Sequence, residues 1–311
     1  MVILYKHTCY KLSLAVIGVL FCFSAFSQTL AEAAHLYEIR DYRDATKVYD
    51  KCIKANKKDT NAYFGRALVY DATQEYKKAI NDLDKAIKLD PKDAEAYMYR
   101  GISKAELDKY KKAILDYNEA IRIKPNYAAA YNYRANAKYK LDDTIGALKD
   151  YDAAIKFDSE YGDAFFNRGS VRIACRRYQE AIIDLTLAIA FNPGDADAFF
   201  TRAIASDSAH DYRSAVGDYN TTLNMDSSYM EAYYNRGLDK EKLAFYDEAM
   251  DDFNKVLKVD SANVLVYCAR ASVKDSLKDY HGAINDYLIA IYINPNYAPA
   301  YYFKGKTCLQ V

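Results

Sequence analysis

The chain has 311 residues, of which 28% are charged, and its 43 basic residues balance its 43 acidic ones. A nucleic-acid binder normally carries a basic stripe, and none is visible, so the charge pattern argues against that class of function. The 32 tyrosines, with no tryptophan, fall mostly at repeating positions described below and are therefore interpreted as structural.

Residues 1–27 have the features of a secretory signal peptide. Lys6 and Lys11 give a basic start without any acidic residue, and residues 12–26 are an apolar run that is short for a membrane span. Small residues occupy the two positions that a signal peptidase reads, which predicts cleavage before Gln28. The mature protein is then expected to be secreted or periplasmic. The alternative is an uncleaved membrane anchor.

From residue 60 onward the sequence repeats every 34 residues without gaps. When each block is numbered from 1, position 20 is always Ala and position 8 is always Ala or Gly. Position 17 is Tyr in every block except that of Thr144, and position 32 is Pro or Ser from Pro91 onward. The seven complete blocks are 60–93, 94–127, 128–161, 162–195, 196–229, 230–263 and 264–297.

These positions predict two helices in each block. Small residues at positions 8 and 20 allow two helix backbones to approach closely, and aromatic residues at positions 4, 17 and 24 fill the surrounding space. A proline at position 32 ends the second helix, because it lacks an N–H and restricts the residue before it. Helices of about 14 residues are marginal alone in water, so each pair must be stabilised by its neighbours.

The pattern closely resembles that of the tetratricopeptide repeat (TPR) family: an aromatic at position 4, a small residue at 8, Tyr at 17, Ala at 20 and 27, and Pro at 32. The resemblance implies an all-α fold, a right-handed α-solenoid of antiparallel helix pairs, and a non-enzymatic scaffold that binds other proteins. One departure is systematic, since position 7 is usually Leu in the family and is Arg here.

The ends of the array are atypical, as terminal repeats are expected to be. Residues 28–59 form a degenerate N-terminal repeat that keeps Tyr42, Ala45 and Tyr49. Residues 298–311 contain only a first helix, which either caps the array or begins a further repeat. No linker interrupts the sequence between them, so one continuous solenoid domain is expected.

No arrangement of residues suggests catalysis or a cofactor. The cysteines after residue 27 share no repeat position and no metal-ligand spacing, and the histidines are isolated. No catalytic residue, metal site or cofactor is therefore expected.

Position 7 and position 23 carry opposite charges through the array. We expect the Arg and Asp side chains to form a ladder of charge-assisted hydrogen bonds between packed helices, the alternative being that each is separately solvated. Both are missing together in the first repeat, where Glu32 and Val48 stand, which weakly favours pairing within a repeat. The residues are Arg66, Arg100, Arg134, Arg168, Arg202, Arg236 and Arg270 with Asp82, Asp116, Asp150, Asp184, Asp218, Asp252 and Asp286.

The family resemblance implies that the first helices line a concave groove, with positions 2, 5, 9 and 12 facing a bound peptide. An exposed apolar strip bordered by charge is typical of an interaction site. The alternative is that these side chains pack on the adjacent first helix. The candidate apolar residues are Phe64, Leu68, Met98, Ile102, Phe166, Phe200, Ile204, Tyr234 and Leu238, and the acidic ones are Asp197, Asp207 and Glu241.

This chemistry predicts a protein or peptide partner with apolar and basic character, bound as an extended or helical segment. Basic residues that would clamp a terminal carboxylate are missing from these positions, which argues against that mode. Two alternatives stay open, namely an accessory factor that binds glycan or cell wall through its aromatic side chains, and a repeat fragment of a larger regulatory protein.

Overall fold

The structure is a computed structural model that describes residues 25–311, with side chains described from residue 29. That part of the chain contains seventeen α-helices and no strand, which confirms the predicted all-α solenoid. None of these helices has the length and apolar character needed to cross a membrane. The predicted signal peptide lies outside the described residues except for its last three, which are in the first turn of a helix. Cleavage before Gln28 stays a prediction.

The chain forms two compact units that divide between Leu107 and Asp108, that is, between the two helices of block 94–127. Unit 1 contains α1 (Ala25–Glu38), α2 (Tyr42–Ala55), α3 (Thr60–Ala72), α4 (Tyr76–Leu89) and α5 (Ala94–Ala105). Unit 2 contains α6 (Tyr110–Ile123), α7 (Ala128–Tyr139), α8 (Thr144–Phe157), α9 (Gly162–Ala174), α10 (Tyr178–Phe191), α11 (Ala196–Ser208), α12 (Tyr212–Met225), α13 (Met230–Lys242), α14 (Tyr246–Val259), α15 (Val264–Ser276), α16 (Tyr280–Ile293) and α17 (Ala298–Cys308).

The helices follow the 34-residue register closely. From α3 onward every first helix begins at position 1 of its block, and every second helix begins at position 17 and ends at position 30. Both predicted helices are therefore observed in every complete block. The degenerate N-terminal repeat also forms a pair, α1 with α2, although α1 begins at Ala25 and not at the expected cleavage site.

Each first helix from α1 to α15 is followed by one residue in the left-handed conformation, at position 15. The next N–H then donates back to the carbonyl five residues earlier, as Glu75 does to Tyr70 at 2.7 Å. This arrangement is the Schellman motif, which satisfies a carbonyl that the helix end leaves free. The eight residues are Arg40, Gln74, Asp108, Asp142, Arg176, His210, Ala244 and Lys278, and none of them is the glycine that usually occupies this position.

The second helices end in the same way whether position 32 is Pro or Ser. Before Pro91, Asp90 is extended at φ −129° and ψ 93°, and Asp226 is similar at φ −137° and ψ 96° although no proline follows. The side chain of Asp226 accepts a hydrogen bond from the N–H of Ser228 at 2.9 Å, and Asp90 accepts one from Lys92 at 3.0 Å. This hydrogen bond closes an Asx turn, which ends the helix even where no proline follows.

The core is built on the predicted small-residue contact between the helices of a pair. A Cβ atom added to Gly237 at position 8 would lie 2.7 Å from the ring of Phe253, so a larger residue cannot fit without movement. The alanines at position 20 are completely buried, and they are Ala45, Ala79, Ala113, Ala147, Ala181, Ala215, Ala249 and Ala283.

Candidate functional site

Six of the seven predicted pairs of the Arg–Asp ladder lie within one unit, and each of these six rungs is present and bidentate. Arg134 donates from Nε to Asp150 at 2.8 Å and from Nη2 at 2.7 Å, and Asp150 is buried. A planar guanidinium matches the two oxygens of a carboxylate, so this geometry confirms the predicted charge-assisted pairing. The same two bonds join Arg66 to Asp82, Arg168 to Asp184, Arg202 to Asp218, Arg236 to Asp252 and Arg270 to Asp286.

The arginines also join neighbouring repeats, which the sequence analysis missed. The remaining nitrogen, Nη1, donates to position 25 of the preceding repeat, as from Arg134 to Asn118 at 2.7 Å. The available signal was a short acceptor at position 25 of each repeat that is followed by a ladder arginine. The other acceptors are Asp50, Asp84, Asp152, Thr186, Asn220 and Asn254.

Two further contacts explain why Arg stands where the family pattern has Leu. Each ladder arginine lies over the aromatic ring three residues before it, with Arg134 5.2 Å from the centroid of Tyr131. In four repeats a second cation at position 11 binds the same aspartate, as Lys138 binds Asp150 at 2.7 Å. The ladder is thus a structural element that leaves its carboxylates fully paired. The other three cations are Arg172, Lys240 and Lys274.

The apolar groove candidates are less exposed than predicted. Met98, Ile102 and Phe200 are buried, at 5%, 5% and 7% exposure, so the expectation of an exposed strip is wrong for these three and they pack instead. Phe200, for example, lies 4.6 Å from Tyr229 between ring centroids. The remaining six candidates are half-buried: Phe64 and Leu68 in unit 1, and Phe166, Ile204, Tyr234 and Leu238 in unit 2.

The three acidic candidates all lie in unit 2, and each accepts a hydrogen bond from a residue about 30 positions later in the chain. Asp207 accepts a hydrogen bond from Lys242 at 2.6 Å. Glu241 accepts one from the hydroxyl of Ser272 at 2.5 Å, and Asp197 accepts one from Tyr229 at 3.3 Å. These carboxylates therefore lie between successive first helices rather than projecting freely into solvent.

A fourth carboxylate, Asp239, was missed by the sequence analysis. It is 1% exposed, and Lys242 contacts it at 3.1 Å while also bridging to Asp207. Burial, reinforced by the carboxylate of Asp207, raises the pKa of Asp239 to about 7. The available signal was an acid at position 10, which is otherwise small or apolar, as at Val69 and Val273.

Burial also raises the pKa of three groups on α13, α15 and α16. Burial raises the pKa of Glu241, and the hydrogen bond from Ser272 only partly opposes it. Burial also raises the pKa of Tyr287 above its ordinary value, with Asp275 as the next contribution. Burial raises the pKa of Cys268 to about 11, so its thiol is a poor nucleophile at neutral pH.

In the earlier repeats of unit 2, the first helices carry neutral polar side chains where the later ones carry carboxylates. Asn132 is buried and donates to the hydroxyl of Tyr161 at 3.3 Å, while its carbonyl oxygen accepts from Asn167 at 3.1 Å. Tyr151 donates to Asn136 in the same way. The chemistry of the first helices in unit 2 therefore changes from amide to carboxylate along the chain.

Within residues 25–311, no group of three or more His, Cys, Asp or Glu residues is arranged to hold a metal ion. The four cysteines of this part, Cys52, Cys175, Cys268 and Cys308, are all free thiols. The arrangement described so far can bind a partner through apolar contact and charge.

Four sequence models of one family match the chain. Models described as "Tetratricopeptide repeat" match residues 60–93, 134–196 and 264–297, and one described as "TPR repeat" matches residues 103–142. No curated protein matches the chain in sequence.

Several solved structures share the fold. The type IV pilus biogenesis factor PilW is 16% identical over 68% of this chain and 97% of its own, with a TM-score of 0.61. A tetratricopeptide repeat protein from Parabacteroides merdae ATCC 43184 is 18% identical over 80% of this chain and 98% of its own, with a TM-score of 0.54. A chain of the APC/C hetero-tetramer Cut9–Hcn1 is 17% identical over 90% of this chain, with a TM-score of 0.57, and this chain spans 55% of its length. At these identities the likeness concerns the fold alone.

Proposed function

Because this chain belongs to the tetratricopeptide repeat family, whose members are scaffolds for protein–protein interaction, we propose that its first helices bind an extended or helical segment of a partner protein. The surface in question is the groove stripe, defined as positions 2, 5, 9 and 12 of α9, α11, α13 and α15 in unit 2. Family members are generally not enzymes, and we propose no catalytic activity.

The observation that carries this proposal is the mixture of chemistries on one helix face. Phe166, Ile204, Tyr234 and Leu238 keep part of their apolar surface accessible although their other sides pack into the core. Apolar side chains at such positions provide the partly preformed pockets that anchor a partner. In unit 1, Phe64 and Leu68 offer the same kind of surface on α3.

The charges in the groove stripe favour a basic partner. Asp197, Asp207 and Glu241 are half-buried, and Lys242 lies within hydrogen-bond distance of Asp207. Complementary charge increases the association rate and specificity more than it increases affinity. The proposed partner therefore combines apolar anchors with lysine or arginine. From the signal-peptide features of residues 1–27, we propose that the two proteins meet outside the cytoplasm.

A displayed library of random peptides, selected on residues 28–311, tests this proposal. We expect selected peptides to share apolar and basic residues. We also expect the Phe166→Ala variant to bind them at least tenfold more weakly than the wild type does. The matched control is Ile183→Ala, which removes a side chain that is 61% exposed on α10. Phe200 is unsuitable for such a test, because replacing a buried ring would disturb folding.

The proposal is refuted if selected peptides bind Phe166→Ala normally and instead lose affinity to Ile183→Ala. If no peptide is selected and soluble cell-wall glycans bind the same protein, the glycan alternative replaces it.

A further inference from the structure

Two sets of carboxylates in unit 2, one buried and one buried or half-buried, differ sharply in how the chain pairs them. In the ladder, Asp184 receives two bonds from Arg168 and a third from Arg172. The second set is the carboxylate row, defined as Asp207 on α11, Asp239 and Glu241 on α13, and Asp275 on α15.

The carboxylate row has too few donors among the described residues. Lys242 bridges Asp207 and Asp239, and the hydroxyl of Ser272 donates to Glu241. The oxygens Asp239 Oδ2 and Asp275 Oδ1 are buried and have no hydrogen-bond donor. Buried carboxylate oxygens normally have donors, so two empty acceptors in one row indicate a donor that the chain itself does not supply.

We propose that the carboxylate row binds an arginine side chain of the partner segment. A guanidinium carries five N–H donors in a planar fork, which suits several carboxylate oxygens, whereas an ammonium is a point charge with three. The row is open to a ligand, since the side chains of Asp207 and Lys242 are 36% and 40% exposed. This proposal rests on the proposed function, and it specifies one residue of the ligand.

When the ligand is absent, a proton on Asp239 supplies part of the missing donor. The pKa of Asp239 is raised to about 7 by burial and by Asp207, so near neutral pH its protonated form donates a hydrogen bond to Asp207. The groups that face Asp239 are Asp207 from α11, Tyr219 from α12 and Lys242 on α13 itself. From α14, Asp252 is already paired with Arg236 and Lys240. On α15 the acidic side chain of the row is Asp275, which acts on Tyr287 of α16, as does Glu241.

A guanidinium that enters the carboxylate row stabilises Asp207 and Asp239 in their ionised form. The pKa of Asp239 then falls, and its proton leaves for solvent. Binding of arginine is therefore coupled to the release of roughly half a proton at pH 7, because a group with a pKa of about 7 is half protonated there.

The experiment uses residues 28–311 and a positional-scanning library of acetylated, amidated nonapeptides, in which each position in turn is fixed as arginine, as its uncharged isostere citrulline, or as lysine. We expect arginine to bind at least tenfold more tightly than citrulline at one position, with lysine between them. Equal binding of arginine and citrulline at every position overturns the proposal.

Two variants test whether the preference for arginine over citrulline arises from the carboxylate row. Glu241→Gln with Asp275→Asn keeps side-chain volume, and we expect it to reduce the arginine preference to less than twofold. Asp251→Asn, which changes an exposed carboxylate on α14, is the matched control and should leave it unchanged. If both proteins keep the same preference, arginine binds elsewhere and the assignment is wrong.

Calorimetry of the best arginine peptide in two buffers with different ionisation enthalpies measures the proton. We expect release at pH 7 from the wild type and none from Asp239→Asn, which has no proton to release. Equal proton release from both proteins contradicts the mechanism. If library peptides bind the groove stripe without preferring arginine, the row proposal fails while the proposed function stands, so the two failures are distinguishable.

Discussion

The ladder makes a quantitative prediction about stability, and the pair of Arg134 and Asp150 is the clearest place to test it. Arg134→Leu introduces the residue that the family pattern has at position 7, and it leaves Asp150 buried at 5% exposure with Lys138 as its remaining cation. Removing one partner of a buried ion pair costs about 3–5 kcal/mol. The remaining lysine reduces this loss, while the lost bond to Asn118 and the lost contact with Tyr131 add to it. We therefore expect about 3 kcal/mol.

A double-mutant cycle isolates the pair. Asp150→Ala alone should cost about 2 kcal/mol, because Arg134 is partly accessible to water and keeps its other contacts. The double variant should be less destabilised than the sum of the two by about 1.5–2 kcal/mol. Equilibrium urea unfolding, followed by circular dichroism and by tyrosine fluorescence, measures these values. Both probes are needed, since repeat arrays do not always unfold in two states.

An exposed pair on the same unit provides the control. Arg122 and Glu119 are joined at 2.8 Å on α6, with side chains 67% and 43% exposed. Pairs of this kind contribute about 0.2–0.5 kcal/mol. A coupling energy below 0.5 kcal/mol for Arg134 and Asp150, equal to that of the control, would show that the ladder contributes no more to stability than an exposed ion pair does.

Three further results are expected from the same unfolding assay. Ala244→Gly should stabilise by about 0.5–1 kcal/mol, because Ala244 has φ 61° and glycine adopts that conformation without strain; a loss of stability would contradict this reading of the turn. Ala181→Leu should destabilise by about 1–3 kcal/mol, since Ala181 is completely buried, and an unchanged unfolding midpoint would disprove the close contact at position 20. As pH rises from about 5 to 8, the wild type should lose stability relative to Asp239→Asn, on the order of 2 kcal/mol, because a raised pKa in the folded state stabilises only while the proton is bound. A constant difference across that range would show that Asp239 does not titrate there.

The sequence predicts the helix pairs well because their determinants recur at fixed positions. Small residues at positions 8 and 20 set which faces meet, so the start of α9 at Gly162 follows from the register alone. The pairing of Arg134 with Asp150 was also predictable, since opposite charges stand at the same two positions in each repeat. Its link to Asn118 was harder to predict: a short acceptor recurs at position 25, but the direction of the third nitrogen depends on how one repeat packs on the previous one.

The groove was predicted less well, for a related reason. Whether Met98, Ile102 and Phe200 reach solvent depends on the spacing between successive first helices, and nothing in one helix's own periodicity reports that spacing. The importance of Asp239 depends equally on the neighbouring helix, which brings Asp207 against it. A sequence pattern that describes one repeat at a time does not predict properties that depend on the packing between repeats.

The hydrogen bonds from one repeat to the next are not equivalent along unit 2. Most position-25 acceptors lie 2.6–2.7 Å from the arginine, whereas Thr186 accepts from Arg202 at 3.1 Å through a single hydroxyl. The arginine bond between repeats 162–195 and 196–229 is therefore the longest of this set. It lies where the amide-bearing first helices give way to the acidic ones, so a change of packing at this junction would alter the spacing of the proposed groove stripe.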